Sequence, residues 1–183
     1  MKALFVKYKT VIKFILTFLL VYAVLTLSYK YYLHVSETGN FYPDYFTNLT
    51  ARQSQSLLES LGYNTQIAPH AEEPSIKLTI NGKYLARVIE GCNSISIIIL
   101  FVSFIIAFAD KWKTTLLYLF AGSVLIYAVN IFRIVLLCFG LYHYPWRKEI
   151  LHVVIFPLII YGMVFLLWMF WVNRFSRKKK HNA

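Results

Sequence analysis

The stretch RVIEGCNSISIIILF, from Arg87 to Phe101, runs from a charged segment into a long apolar one, and Cys92 lies at the border. Structural cysteines are usually buried among apolar neighbours, whereas a disulfide cysteine would usually lie in a soluble loop. Cys92 fits neither pattern, because the charged segment precedes it directly and the apolar segment follows it. What this cysteine can do depends on where the border lies in the folded chain.

The composition of the 183 residues is that of an integral membrane protein. Hydrophobic residues make up 58% of the chain and aromatic residues 18%, and the mean hydropathy is +0.56. These values exceed the usual soluble range. Many of the basic residues behind the net charge of +11 lie at the two ends, in MKALFVKYKTVIK and NRFSRKKKHNA. Basic ends beside apolar segments are typical of membrane-flanking regions, so no nucleic-acid partner is expected.

Four stretches approach or exceed the length of about 20 apolar residues that a membrane-spanning helix needs. The predicted spans are residues 11–33, 92–109, 114–141 and 150–172. The expected fold class is therefore an all-α integral membrane protein. We expect one membrane domain over residues 1–183, built as a bundle of four transmembrane helices.

The distribution of positive charge predicts how the bundle is oriented. Basic residues precede the first span, follow the fourth and occur in the turn DKWK between the second and third. If the helices alternate, all three places share one side, and the positive-inside rule makes that side cytoplasmic. Both termini and the basic tail 173–183 are then cytoplasmic. The loop 34–91 is extracytoplasmic, which agrees with its four Lys/Arg against six Asp/Glu.

The loop 34–91 is predicted to form a small α+β unit, a helix followed by a β-hairpin. In TNLTARQSQSLLESLGY, four leucines recur at approximately helical spacing before Gly62, a residue that commonly ends helices; they are Leu49, Leu57, Leu58 and Leu61.

The hairpin is predicted from SIKLTINGKYLARVIE, which alternates apolar and polar residues on both sides of Asn81-Gly82. Six apolar residues would share one face: Ile76, Leu78, Ile80, Tyr84, Ala86 and Val88. The second strand leads directly into Glu90-Gly91-Cys92. The hairpin would thus deliver Cys92 to the outer membrane surface.

Two further reactive side chains are expected at the same depth as Cys92. Arg133 lies eight residues before the outer end of the third span, or about 12 Å along a helix, and His152 begins the fourth span. Ionisable residues within a membrane are costly and indicate function. Asn130 precedes Arg133 by three residues and shares its helix face.

These residue types suit acyl transfer. A thiol becomes a nucleophile when a neighbouring base or cation favours the thiolate. A neutral imidazole can accept the thiol proton and return it to a leaving amine, and a guanidinium can stabilise the oxyanion of a tetrahedral intermediate. Cys92, His152 and Arg133 therefore indicate a reaction through a thioester, with Glu90 and Asn130 as supporting residues.

Each of these residues also has a structural interpretation. Arg133 could lock helix packing through backbone carbonyls, and the chain would then be a non-enzymatic membrane scaffold or assembly factor. Cys138 is expected to be a packing residue, although a Cys92–Cys138 disulfide is possible in an oxidising compartment. No CxxC or Cys/His pair has the spacing of zinc ligands, so no metal or other cofactor is expected.

Three motifs resemble those of the exosortase/archaeosortase family: EGCNSISIIILF around Cys92, NIFRIVLL around Arg133 and EILHVVIFPLIIYG around His152. Their order and spacing match over all four predicted spans, and the whole chain looks most like the exosortase F branch found in Bacteroidetes. The chain also departs from the pattern. Many members have a glycine two residues after the cysteine and an arginine two further on, where this chain has Ser94 and Ser96.

The resemblance implies a cysteine transpeptidase or endopeptidase in the bacterial inner membrane, with its active site on the periplasmic side. Such an enzyme cleaves C-terminal sorting signals of exported proteins and transfers the proteins to a lipid or glycan acceptor in the cell envelope. Carried over, Cys92 would be the nucleophile, Arg133 the stabiliser of the oxyanion or substrate, and His152 the general acid and base.

Overall fold

A computed structural model describes residues 8–36, 42–109 and 111–181, without the side chains of His152 and residues 175–181. The chain forms five α-helices and three strands in this range, together with two 3₁₀ turns, at Glu90–Cys92 and Pro145–Arg147, and a π-helical segment, Ile150–Ile155. The order is α1 (Lys9–Ser36), α2 (Tyr45–Ser60), β1 (Thr65–Pro69), β2 (Ser75–Ile80), β3 (Lys83–Ile89), α3 (Ile95–Ala107), α4 (Trp112–His143) and α5 (Phe156–His181).

Helices α1, α3, α4 and α5 form an antiparallel bundle. Near the start of α1, the Phe14 ring lies 5.8 Å from that of Phe104 and 4.3 Å from that of Phe108, beside the end of α3. Near the end of α1, the Tyr29 hydroxyl accepts a hydrogen bond of 2.7 Å from Asn93, just before α3. We call the end of the bundle that carries Asn93 and the β-sheet the sheet end, and the opposite end the far end.

Three helices in the described part of the chain are long and apolar enough to cross a membrane: Lys9–Ser36, Trp112–His143 and Val153–Arg174. They coincide with the first, third and fourth predicted spans, so the protein is a multi-pass membrane protein. The second predicted span, 92–109, forms the 13-residue helix α3. At about 1.5 Å per residue α3 is roughly 20 Å long, against about 30 Å of hydrocarbon. Four transmembrane helices therefore stay a prediction.

Helix α3 is short because two residues after Cys92 do not join it. Ser94 has a left-handed backbone conformation, with φ 65°. The Asn93 side-chain carbonyl accepts a 3.0 Å hydrogen bond from the Ile95 N–H, a donor that the first turn of a helix leaves unsatisfied. The helix thus begins at Ile95, three residues later than the apolar run suggests.

The far end is closed by an apolar cluster. Its buried members are Phe101, Ile105, Ile126, Ile160, Val164 and Trp171, from α3, α4 and α5. Gly122 of α4 lies directly against the ring of Phe101, where a Cβ atom would overlap it. The absence of a side chain at Gly122 therefore allows α3 and α4 to approach each other.

The sheet is antiparallel with the strand order β1-β2-β3. The predicted hairpin turn is confirmed, because Asn81 and Gly82 have φ of 50° and 78°, the positive values that a type I′ turn requires. Strand β1 was not predicted. It pairs with β2 from Thr65↔Ile80 to Pro69↔Ile76 and covers the edge of β2 that the hairpin leaves open.

The prediction that six apolar residues of the hairpin share one face is partly wrong. Leu78 pairs with Ala86 but Thr79 pairs with Tyr84, so a bulge leaves Leu85 without a partner in β2. A bulge reverses the alternation beyond it. Tyr84, on the turn side of the bulge, is accordingly 55% exposed, while Val88, on the other side of the bulge, is buried as expected.

The predicted loop helix is confirmed as α2, but its buried face differs from the leucine pattern. Leu58 is buried, whereas Leu57 and Leu61 are exposed. The other buried residues of α2 are small: Thr47, Thr50, Ala51 and Ser54. Four of the five buried residues of α2 are therefore small, and Leu58 is the fifth.

The fourth predicted span begins with the π-helical segment, in which the Phe156 N–H bonds the carbonyl of Leu151, five residues earlier. Pro157 follows. Its ring crowds the carbonyl four residues earlier and it has no N–H to donate, so the turn before it widens. Such π-helical turns are frequent at functional sites, and this one contains His152.

Candidate active site

A cleft of about 310 Å³ opens at the sheet end of the bundle, between β3, the turn before α3, α4 and the start of α5. Its lining includes Cys92, Asn130 and Arg133, three of the five residues that the sequence indicates as catalytic or supporting. Its volume is at the lower end of the usual range for ligand pockets, about 300–1,000 Å³. The remaining walls are largely apolar.

Cys92 reaches the cleft because β3 passes without a break into the 3₁₀ turn Glu90–Cys92. The Cys92 carbonyl accepts a 2.7 Å hydrogen bond from the side-chain amide of Asn130. Asn130 is 1% exposed and held within α4. The backbone at Cys92 is therefore fixed from two directions, by the strand and by a buried amide.

Arg133 lies one helical turn after Asn130 on α4 and lines the same cleft as Cys92, and its guanidinium interacts electrostatically with the Cys92 thiol. The guanidinium stacks 5.3 Å from the ring centre of Phe156 and lies close to the phenol of Tyr161. Its Nε is buried and has no hydrogen-bond acceptor among residues 8–36, 42–109 and 111–181. A buried donor without a partner suits an incoming oxyanion.

His152 is placed by its backbone only, because its side chain lies outside the described residues. The neighbouring Leu151 side chain packs against Gly140 of α4, where an added Cβ would lie 3.0 Å from a Leu151 methyl group. Phe156, four residues after His152, lines the cleft and contacts Arg133. The segment that carries His152 is thus held against the same stretch of α4 as the cleft.

Glu90, the second predicted supporting residue, starts the 3₁₀ turn, and its backbone carbonyl accepts a 3.4 Å hydrogen bond from the Asn93 N–H. Cys138 is buried beside Ile134 and Val135, in agreement with a packing role. Both cysteines are free thiols in this structure. Cys92 is therefore available as a nucleophile.

Asn93, which the sequence reasoning did not single out, anchors the turn next to Cys92. Its fully buried side-chain amide donates to the Tyr29 hydroxyl of α1 at 2.7 Å and to the Thr47 hydroxyl of α2 at 3.2 Å. One amide thus ties the neighbour of Cys92 to two helices. The sequence does offer a signal for Asn93, an amide residue at the start of an apolar run. A buried amide needs hydrogen-bond partners, so such a residue indicates contacts with other polar groups.

A family model described as transmembrane exosortase matches residues 4–173 of the chain. The match includes the cysteine turn, all of α4 and the π-helical segment. No curated protein and no solved structure matches the chain.

Proposed function

The chain belongs to the transmembrane exosortase family, and from that premise we propose that it is a membrane-embedded cysteine transpeptidase with Cys92 as its nucleophile. Membership suggests a membrane transpeptidase of sorting signals. The proposed enzyme cleaves C-terminal sorting signals of exported proteins through a thioester and transfers the proteins to a lipid or glycan acceptor in the envelope.

The observation that carries the proposal is the meeting of a thiol, a guanidinium and a buried amide in one cleft. Arg133 and Cys92 line the same cleft, and the Asn130 amide donates a 2.7 Å hydrogen bond to the Cys92 carbonyl. A guanidinium whose only task was helix packing would be expected to bind backbone carbonyls. The Nε of Arg133 is instead buried without a hydrogen-bond partner in the described part of the chain.

In the proposed first step, the Cys92 thiolate attacks the carbonyl carbon of the scissile peptide bond. A C–S bond forms, and Arg133 donates to the resulting oxyanion. The C–N bond then breaks, and the leaving amine takes up the proton that the thiol gave to His152. In the second step, a nucleophilic group of the acceptor attacks the thioester carbonyl and gives its proton to His152, and the Cys92 thiolate leaves.

His152 receives the acid–base role because of the segment in which it lies. Its backbone forms part of the π-helical segment Ile150–Ile155, which ends directly before Phe156 of the cleft wall. Of the ordinary side chains, only histidine changes its charge near neutral pH without a strong perturbation. No other histidine in the chain lies within the motifs that resemble the family.

We place the protein in the bacterial inner membrane, with both termini cytoplasmic and the cleft on the periplasmic side, and assign it to the exosortase F branch. The antiparallel bundle supports this orientation. The start of α1, the turn between α3 and α4 and the end of α5 all lie at the far end. These are the three places where the sequence concentrates positive charge.

Trapping of the acyl-enzyme tests the proposed function. Membranes from producing cells are quenched in acid, and the peptide that contains Cys92 is analysed by mass spectrometry. We expect a peptide adduct on Cys92 that neutral hydroxylamine, which cleaves thioesters, releases. Cys92→Ala should abolish the adduct and the processing of exported proteins.

Cys138→Ala is the matched control, because it removes the other thiol from a buried position on the same side of the bundle. It should keep the adduct on Cys92. Normal processing by the Cys92→Ala variant would refute the catalytic role and favour the scaffold.

A further inference from the structure

Strand β3 forms one edge of the sheet and one wall of the cleft. No strand pairs with its outer edge in residues 8–36, 42–109 and 111–181. Ala86, Arg87 and Val88 line the cleft, and the strand continues into the turn that ends at Cys92. The edge of the sheet therefore leads directly to the proposed nucleophile.

The pairing register of β2 and β3 determines which backbone groups of β3 point towards this outer edge. Residues opposite each other in antiparallel strands alternate between bonded and non-bonded pairs. Ser75 lies opposite Ile89, but the Ser75 carbonyl accepts its hydrogen bond from His70 at 2.9 Å. The pair Ser75↔Ile89 is thus of the non-bonded kind, and so is Lys77↔Arg87 two residues earlier. The N–H and C=O groups of Arg87 and Ile89 consequently point away from β2.

The other edge of the sheet differs in two respects. Strand β1 ends in Pro69, which has no N–H and which commonly protects edge strands from pairing. None of the β1 residues lines the cleft. Of the two edges, only that of β3 combines outward donors and acceptors with a route to Cys92.

We propose that the exported substrate binds as an extended segment that pairs with the outer edge of β3 as a fourth strand, through the N–H and C=O groups of Arg87 and the N–H group of Ile89. This inference rests on the proposed function, since the occupant is the chain that Cys92 attacks. Backbone pairing supplies affinity with little dependence on sequence, as in other cases of strand addition. The apolar walls of the cleft then select side chains near the scissile bond.

Photo-crosslinking in producing cells tests the docking edge. The probe residue p-benzoylphenylalanine replaces Arg87 or Ile89 on β3 in separate variants, and Ala68 on β1 as the matched control edge. The variants also carry Cys92→Ala, so that adducts report binding without cleavage. We expect adducts to one segment of an exported protein from the two β3 positions and none from Ala68.

If the substrate pairs with β3 as a strand, the cross-linked positions in the substrate should follow the position of the probe. Moving the probe from Arg87 to Ile89 should move the cross-linked residue by two along the substrate, since strands pair residue by residue. Equal adducts from β1 and β3, adducts without the two-residue shift, or no adducts from β3 would overturn the inference.

A second variant tests the edge through the reaction. Arg87→Pro removes an outward N–H without removing a bond to β2, and edge strands tolerate such prolines. We expect Arg87→Pro to lower the acyl-enzyme at least tenfold, while alkylation of Cys92 by iodoacetamide stays within twofold. Arg87→Ala, which loses the ion pair with Glu73 but keeps the N–H, controls for the loss of the side chain, and the tenfold decrease in Arg87→Pro is measured relative to it. An unchanged acyl-enzyme level in Arg87→Pro would also overturn the inference.

The two experiments separate the inference from the proposed function. Shifted adducts from β3 without any thioester on Cys92 would mean that the edge binds exported chains but the chemistry is wrong. A thioester on Cys92 without adducts from β3 would mean that the chemistry is right and the substrate binds elsewhere.

Discussion

The two ends of the helical bundle are held together by different chemistry. At the far end, an apolar cluster that includes Phe101 and Trp171 fills the space between helices, and Gly122 lets α3 and α4 approach. At the sheet end, the buried amides of Asn93 and Asn130 join the turn around Cys92 to three helices, α1, α2 and α4.

This difference suggests a division of tasks. Within a membrane, helices associate through close packing of small and large side chains, and buried polar groups are retained where they are fully bonded or needed for function. Substitutions at the far end should therefore change the amount of folded protein. Substitutions at the sheet end should change the rate of the reaction while the amount stays nearly constant.

The largest effect is expected at the sheet end, from Arg133→Lys. Lysine keeps the charge but loses the planar fork and places its donors differently. Loss of one oxyanion donor costs about 10²–10³ in rate at acyl-transfer sites, so acyl-enzyme formation should fall by that factor at an unchanged protein level. Arg87→Lys, at a second arginine of the cleft wall, is the control and should react at a near-normal rate. A normal rate in Arg133→Lys would mean that Arg133 contributes only its positive charge.

The next largest effect is expected at the far end, from Gly122→Ala. The added methyl group meets the ring of Phe101, and overpacking of this kind typically costs about 1–3 kcal/mol. Thermal unfolding in detergent should show a lower midpoint, and the additional change Phe101→Leu should restore part of it. Gly162→Ala is the control, because nothing lies within 4 Å of an added Cβ at Gly162. Equal effects of the two alanines would contradict the close packing of α3 on α4.

A smaller effect on rate is expected from Asn130→Ala. The change removes the donor to the Cys92 carbonyl, and a hydrogen bond of this kind contributes about 1 kcal/mol, or roughly fivefold in rate if the loss falls on the placement of the thiol. The measurement is the rate of acyl-enzyme formation. Gln53→Ala removes a 2.8 Å hydrogen bond to Tyr127 of the same helix, away from Cys92, and should leave the rate unchanged. A similar loss of rate in both variants would mean that the rate depends on the position of helix α4 as a whole and not on the hydrogen bond to the Cys92 carbonyl.

The sequence predicted those parts of the fold that depend on local patterns. Long apolar runs predicted four spans, of which three form helices that can cross a membrane, and Asn81-Gly82 indicated a turn whose φ angles the structure confirms. The meeting of Cys92 with Arg133 and Asn130 followed from their expected depth in alternating helices.

The missed features depend on contacts between distant residues or on single backbone positions. Strand β1 has no clear alternation of its own and is stabilised by pairing with β2. The late start of the second apolar helix, after Ser94, depends on how Asn93 bonds Tyr29 and Thr47, residues from two other helices. Neither contact leaves a periodic signal, so composition and hydropathy could not indicate them.

The smallest expected effect concerns Ser94, where the chain departs from the glycine that many similar proteins have. Its φ of 65° lies in the left-handed region, which costs a residue with a side chain about 1–2 kcal/mol. Its hydroxyl donates a 2.6 Å hydrogen bond to the Asn93 carbonyl, and this bond offsets part of that cost.

Ser94→Gly relieves the strain and loses the bond, whereas Ser94→Ala keeps the strain and also loses the bond. Since glycine makes the unfolded chain more flexible by about 0.5–1 kcal/mol, we expect Ser94→Gly to be the more stable of the two by up to about 1 kcal/mol. Thermal unfolding of both variants measures the difference. A Ser94→Ala protein at least as stable as Ser94→Gly would mean that the turn after Cys92 is not left-handed, and that the polar sheet end is held by the bonds of Asn93 alone.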